Sequence, residues 1–162
     1  MAGLTHAQLL VIKADVLATP AFVAAIAASD LGIITDAYNA LASPSFTVWK
    51  TNVSVTEIGN NFNGSDLAGL TTANHSRLQT IAAYSEAGVN PSLSDRRAFF
   101  DDVFSGAGGT VTRAQLLVLW KRLATRFEQL LATGTGSDAS PATLTFEGQC
   151  NNSIIDSAIH TS

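Results

Sequence analysis

Between Thr112 and Leu131, apolar side chains return every three or four residues: Leu116, Leu119, Trp120, Leu123, Phe127, Leu130 and Leu131. At about 100° per residue, these positions fall within an arc of roughly 120°, the width of a core-facing helix stripe. Such a stripe must bury itself against another apolar face, which points to a helical bundle. Thr112-Arg113-Ala114-Gln115 has the form of a capping box, and Gly134 or Gly136 can close the run. The expectation is one helix from Thr112 to about Gly134, with Trp120, Leu123 and Phe127 in the core. Arg122 and Arg126 then stand one turn apart on one flank, with Lys121 and Glu128 on the other.

The rest of the chain reads as shorter helices between turns. Thr5-His6-Ala7-Gln8 is another capping box, followed by Leu9, Ile12, Val16 and Leu17 at helical spacing up to about Ala18. Thr19-Pro20 opens an Ala-rich helix to about Ser29, and a weaker helical pattern runs from Asp30 to Leu41 before Ser43-Pro44. Phe46–Lys50 is β-branched and aromatic and predicts a short extended segment, with Val53-Ser54-Val55 alternating after it. Thr56 can cap a brief helix that ends at Gly59, and 60–65 reads as loop. A helix is expected from Asp66 to about Ala87, stopped by Gly88. Another starts at Ser92-Leu93-Ser94-Asp95 and carries Phe99, Phe100, Val103 and Phe104. Ala107-Gly108-Gly109 reads as a flexible connection. After Ser140-Pro141, Thr143–Glu147 alternates as a strand would, and the last dozen residues show no strong pattern. The predicted architecture is therefore mainly α: a helical bundle with one or two short β segments and a C-terminal arm. Residues 1–134 form the helical domain and 135–162 the extended arm.

Charge narrows the function. Only 14% of residues are charged and only Lys13, Lys50 and Lys121 are lysines, against about 25% charged in an ordinary soluble domain. Protein interfaces are depleted in Lys, Glu and Asp, so this scarcity favours burial in an assembly. The net charge of −4 provides no positive field for nucleic acid or anionic lipid. No apolar run reaches the roughly 20 residues of a membrane span, and the N-terminus lacks the pattern of a signal peptide. Neither membrane association nor specific nucleic-acid binding is expected. The lone Cys150 provides no internal disulfide, and the Asn-x-Ser sequons at Asn52, Asn63, Asn74 and Asn151 carry no message without a secretory signal.

Catalytic material is sparse. The loops Gly106–Gly109 and Gly134–Ser137 lack the Lys-Ser/Thr that completes a phosphate loop. His6, His75 and His160 are scattered, without the i, i+4 spacing of a helical metal site. Asp101 and Asp102 are adjacent, so on a helix they point about 100° apart and cannot act as a facing pair. No serine sits in a Gly-x-Ser-x-Gly elbow. The expectation is a non-enzymatic protein with no cofactor and no metal.

Several segments resemble a family of small proteins of tailed phages and prophages. They are Ser43–Thr51, Glu57-Ile58-Gly59, Phe100–Gly106, and above all Lys121–Gly136 running on through Ala139–Gly148. The resemblance covers roughly residues 40–149 and implies a virion structural protein. By analogy it implies a head-to-tail adaptor or connector, made in the host cytoplasm and built into the particle at the head-tail junction. Its partners would be further copies of itself in a dodecameric ring, the portal protein, and the tail nozzle or other tail proteins. Two alternatives are a phage-encoded regulatory binder that inhibits a host protein, and a capsid-decorating or tail-fibre-associated protein. The candidate interface comprises Arg122 and Arg126 with the strand residues Thr143, Leu144, Thr145 and Phe146. That strand needs an edge, either Phe46–Lys50 of the same chain or that of a neighbouring subunit, which the scarcity of strands favours.

Overall fold

The computed structural model describes residues 3–84 and 87–162. Its elements begin with α1 (His6–Ala18), α2 (Pro20–Ala27), α3 (Leu31–Asn39), β1 (Thr47–Trp49), α4 (Val55–Asn60), α5 (Gly64–Ala68) and α6 (Thr72–Tyr84). They continue with α7 (Ser94–Val103), a 3-10 turn at Ala107–Gly109, α8 (Thr110–Leu119), β2 (Lys121–Leu123) and α9 (Arg126–Leu131). The last are β3 (Ala132–Thr133), β4 (Thr143–Leu144) and α10 (Asn152–His160). The protein is mainly helical, with two small antiparallel sheets, β1–β2 and β3–β4.

The elements form two compact units. One combines the chain up to Val48 with Leu123–Ser162, and the other is Trp49–Arg122. The chain leaves the first unit in β1 and returns to it in β2.

In the first unit, Thr5 and Gln8 close the capping box of α1, and Ile12 and Val16 turn inward. They meet Phe22 and Ala25 of α2, Ile34 and Tyr38 of α3, Phe127 and Leu131 of α9, and Ile155 and Ala158 of α10. Tyr38 is fully buried, with the rings of Phe22 and Phe127 5.5 and 5.8 Å away. Its hydroxyl donates to Asp15 Oδ2 at 2.8 Å, which spares a buried polar group the cost of having no partner. β3 and β4 pair in the register Ala132↔Leu144 and Thr133↔Thr143. Just before β4, Ala142 lies in a parallel bridge to Val48 and its N–H donates to the Thr47 carbonyl at 2.9 Å. Gly136, at φ +66°, lies against Phe46, where a Cβ would stand 2.1 Å from a ring carbon. Only glycine fits that turn.

The second unit is built on Val53, Ile58, Val89, Phe100, Val103, Phe104, Leu116 and Trp120. Val53 and Val89 exchange two backbone hydrogen bonds of 2.8 Å. Asn63 caps α5, and its own N–H donates to Thr112 Oγ1 at 3.0 Å. Asp66 Oδ2 accepts the Thr112 N–H at 2.7 Å, so a carboxylate from α5 meets a free donor in the first turn of α8.

Several expectations are corrected. The single helix from Thr112 to Gly134 is instead α8, β2, α9 and β3. Thr112 lies inside the first turn of α8, and the box that matters is Thr125 with Glu128, which restarts the helix as α9. The two halves of the apolar stripe serve different cores. Trp120 belongs to the second unit and Phe127 to the first, while Leu123 is 48% exposed. The expected helix 66–87 is two helices, α5 and α6; Ser85 and Glu86 lie outside the described residues. Ser54, not Thr56, caps α4. Residues 135–162 are not an extended arm. They turn back through β4 and end in α10, whose Ile155 and Ala158 fill the core that α1 and α3 share.

Candidate functional site

Of the residues from His6 to Ala27, only Lys13 and Asp15 carry a formal charge. Both are occupied within the subunit. Lys13 Nζ donates to the Thr161 carbonyl at 2.6 Å. Asp15 accepts from Tyr38 and forms an ion pair with Arg126 at 3.1 Å. The solvent side of α1 is left to Ala7, Leu10, Val11, Ala14, Leu17 and Ala18, all exposed. These positions follow the i, i+3, i+4, i+7 pattern and span an arc of roughly 120°. The helix therefore carries a core stripe on one side and a second, wider apolar stripe facing outward. A helix apolar on both faces is the signature of burial on both faces.

The surface continues onto α2, Pro20–Ala27, which has no polar side chain and exposes Ala21, Val23, Ala24 and Ala27. Leu10 is 40% exposed, Val11 43%, Leu17 56% and Val23 43%. Covering what remains exposed of these four is worth roughly 1 kcal/mol each. α1 and α2 meet at a 95° bend, and among the described residues no single helix is long and apolar enough to cross a membrane. In the second unit, α8 presents a separate apolar face, with Val111 47%, Leu117 47% and Val118 72% exposed.

The candidates read from sequence fall elsewhere. Arg122, half-buried in β2, and Arg126, the first residue of α9, do not share a helix flank, because the helix that would have aligned them is broken. Arg126 spans Asp15 and the faces of Phe22 and Tyr38, 4.9 and 5.6 Å from its guanidinium carbon, so it locks α9 to α1, α2 and α3. Thr143 and Leu144 are paired with β3 of their own chain, and the pairing favoured between subunits is made internally. Thr145 donates to the Leu131 carbonyl and accepts from Gln8 Nε2 at 3.1 Å. Phe146 packs edge-on against Phe127 at 5.6 Å. Sequence reasoning misses the outer stripe of α1 because helical spacing alone groups Leu17 with Ile12 and Val16, which are buried, while Leu17 is 56% exposed. Listing every apolar residue from Ala7 to Ala18 would have shown two stripes.

Ionisable groups are used for structure. Desolvation first, and then the hydrogen bond to Asp15, push the Tyr38 phenol well above its ordinary range. Burial pushes the Cys150 thiol up to about 12, which keeps it protonated and a poor nucleophile. Asp66 and Glu128 are buried, and both meet helix N-termini. Among the described residues, no three His, Cys, Asp or Glu side chains are grouped to hold a metal. Gly109 is held by close packing, since a Cβ there would stand 2.0 Å from the Phe104 carbonyl oxygen.

No family model, curated protein or solved structure matches the chain.

Proposed function

We propose that this protein is a non-enzymatic structural subunit of a tailed-phage particle, a head-to-tail adaptor that assembles with copies of itself in a ring between portal and tail. The observation that supports this most is the inversion of α1: its two charges are committed inside the subunit while Leu10, Val11 and Leu17 face out. A free monomer gains nothing from that arrangement, whereas an interface core depleted of charge requires it.

The occupant of the α1–α2 face is a neighbouring copy of this chain. The chain carries a second uncharged patch, Val111, Leu117 and Val118 on α8, that differs from the first in sequence. Two unlike apolar faces on one subunit suit head-to-tail contact, which closes into a ring when the rotation permits. The scarcity of lysine and the resemblance of 40–149 to virion proteins point the same way. Mass spectrometry of purified particles of the encoding phage is the test. The chain should be present at a fixed copy number per particle. Its absence from mature particles would overturn the adaptor reading and favour a regulatory binder.

A further inference from the structure

Both tryptophans of the chain, Trp49 and Trp120, line one cleft of the second unit, about 250 Å³ in volume. That space suits one side chain or a small anion and is too small for a nucleotide-sized ligand. Its polar lining consists of Arg97, Arg113 and Asp101, and its apolar lining of the indoles with Ala114 and Leu117.

The two arginines are held in place. The Arg97 guanidinium carbon stands 4.0 Å from the centre of the Trp49 ring, and Nη1 donates to the Pro91 carbonyl. Arg113 Nη1 donates to the Phe104 carbonyl at 3.0 Å. A guanidinium has five N–H donors in a rigid fork, and among the described residues each of these two uses one on protein. Burial works against the charge of Arg97, with Asp101 opposing that effect from nearby. An oxyanion in the cleft would do so more fully, through paired N–H donors.

We propose that this cleft binds a carboxylate carried beside an apolar side chain, as at the C-terminal residue of a partner protein. Two arginines and one aspartate leave the lining positive, and the apolar side chains beside them favour a carboxylate on an apolar group over inorganic phosphate, which has no apolar part to bury. Leu117 and Ala114, both exposed, receive the apolar neighbour at the edges of the indoles. Arg and Trp in a half-desolvated pocket are also the residue types that dominate binding energy at protein interfaces. The cleft lies wholly within the second unit and shares Leu117 with the α8 patch of the adaptor reading; the titration below uses the isolated chain, so its failure and that of the adaptor reading are distinguishable.

Because both tryptophans line the cleft, their fluorescence reports its occupancy directly. The intact chain is titrated with N-acetyl-leucine, with N-acetyl-leucine amide and with inorganic phosphate. N-acetyl-leucine should give a saturable change in the millimolar range, the amide none, and phosphate at least about tenfold weaker binding. Arg113→Gln should weaken the response to N-acetyl-leucine at least about tenfold. Asp101→Asn, at an exposed position where folding is not at risk, should strengthen it several-fold. Equal responses to acid and amide, tighter binding of phosphate, or an unchanged affinity in Asp101→Asn would each overturn the proposal.

Discussion

Phe127 and Leu123 belong to the same apolar stripe in sequence, yet the structure assigns them opposite fates, and a pair of alanine variants separates the two accounts. Phe127 is fully buried among Tyr38 and Phe146, with ring centres 5.8 and 5.6 Å away. A buried phenylalanine removes about 150–250 Å² from water, worth roughly 4–6 kcal/mol at 25 cal/mol per Å². Partial collapse of the cavity offsets some of this, and Phe127→Ala is expected to cost about 3–5 kcal/mol. In a chain of this size that lowers Tm by roughly 6–20 °C. Leu123 is 48% exposed, so Leu123→Ala loses about half the area of a leucine and should cost roughly 1 kcal/mol or less. Urea and thermal melts of both variants, followed by circular dichroism, measure the difference. Comparable losses in both would restore the single long helix with one core stripe and refute the break at β2.

The Thr125→Ala variant should lose about 1 kcal/mol by removing the cap of α9, read as a shift of the urea midpoint. Asp66→Ala leaves the Thr112 N–H buried without its acceptor and should cost about 1–3 kcal/mol in the same assay. Cys150 has a folded pKa raised to about 12, so the folded state keeps a proton that the unfolded state releases from about pH 9. Stability should therefore be unaffected by this group below pH 9 and fall as pH rises from about 9 to 12; the Cys150→Ala variant should lose that part of the slope, and the native thiol should resist iodoacetamide at pH 8. Deleting 143–162 removes β4, Phe146, Ile155 and Ala158, and the first unit should lose cooperative melting; a truncated chain that melts like the full one would return the C-terminus to the status of an arm.

Local signals carried much of this fold. The Thr5 box, the Thr19-Pro20 junction, the extended Phe46–Lys50 and the Phe100–Phe104 stripe all lie where short-range chemistry places them. The failures share a cause, which is that the deciding partner is distant in sequence. Thr112 reads as a cap, but its N–H is met by Asp66, forty-six residues away. The run through Trp120 and Phe127 reads as one helix because β pairing at Lys121–Leu123 is invisible to helical periodicity. α10 is missed by the sequence reading, although Asn151 caps it and Ile154, Ile155, Ala158 and Ile159 recur at helical spacing. The outer face of α1 was the costliest omission. Periodicity alone does not say which of two apolar stripes meets the core, and it took Ile12 and Val16 at full burial to show that Leu10 and Leu17 face out.

The most direct test of the central claim is site-specific photo-cross-linking from Leu10 and Leu17 in assembled particles, with products identified by mass spectrometry. Both positions should cross-link in high yield to a second copy of this chain, at residues on α8 that include Val111, Leu117 or Val118, while a probe at Asp36, exposed and polar on α3, should not. Probes at Leu10 and Leu17 that react only with solvent in the particle would show that the outward stripe of α1 is not an assembly surface, and the account would fail.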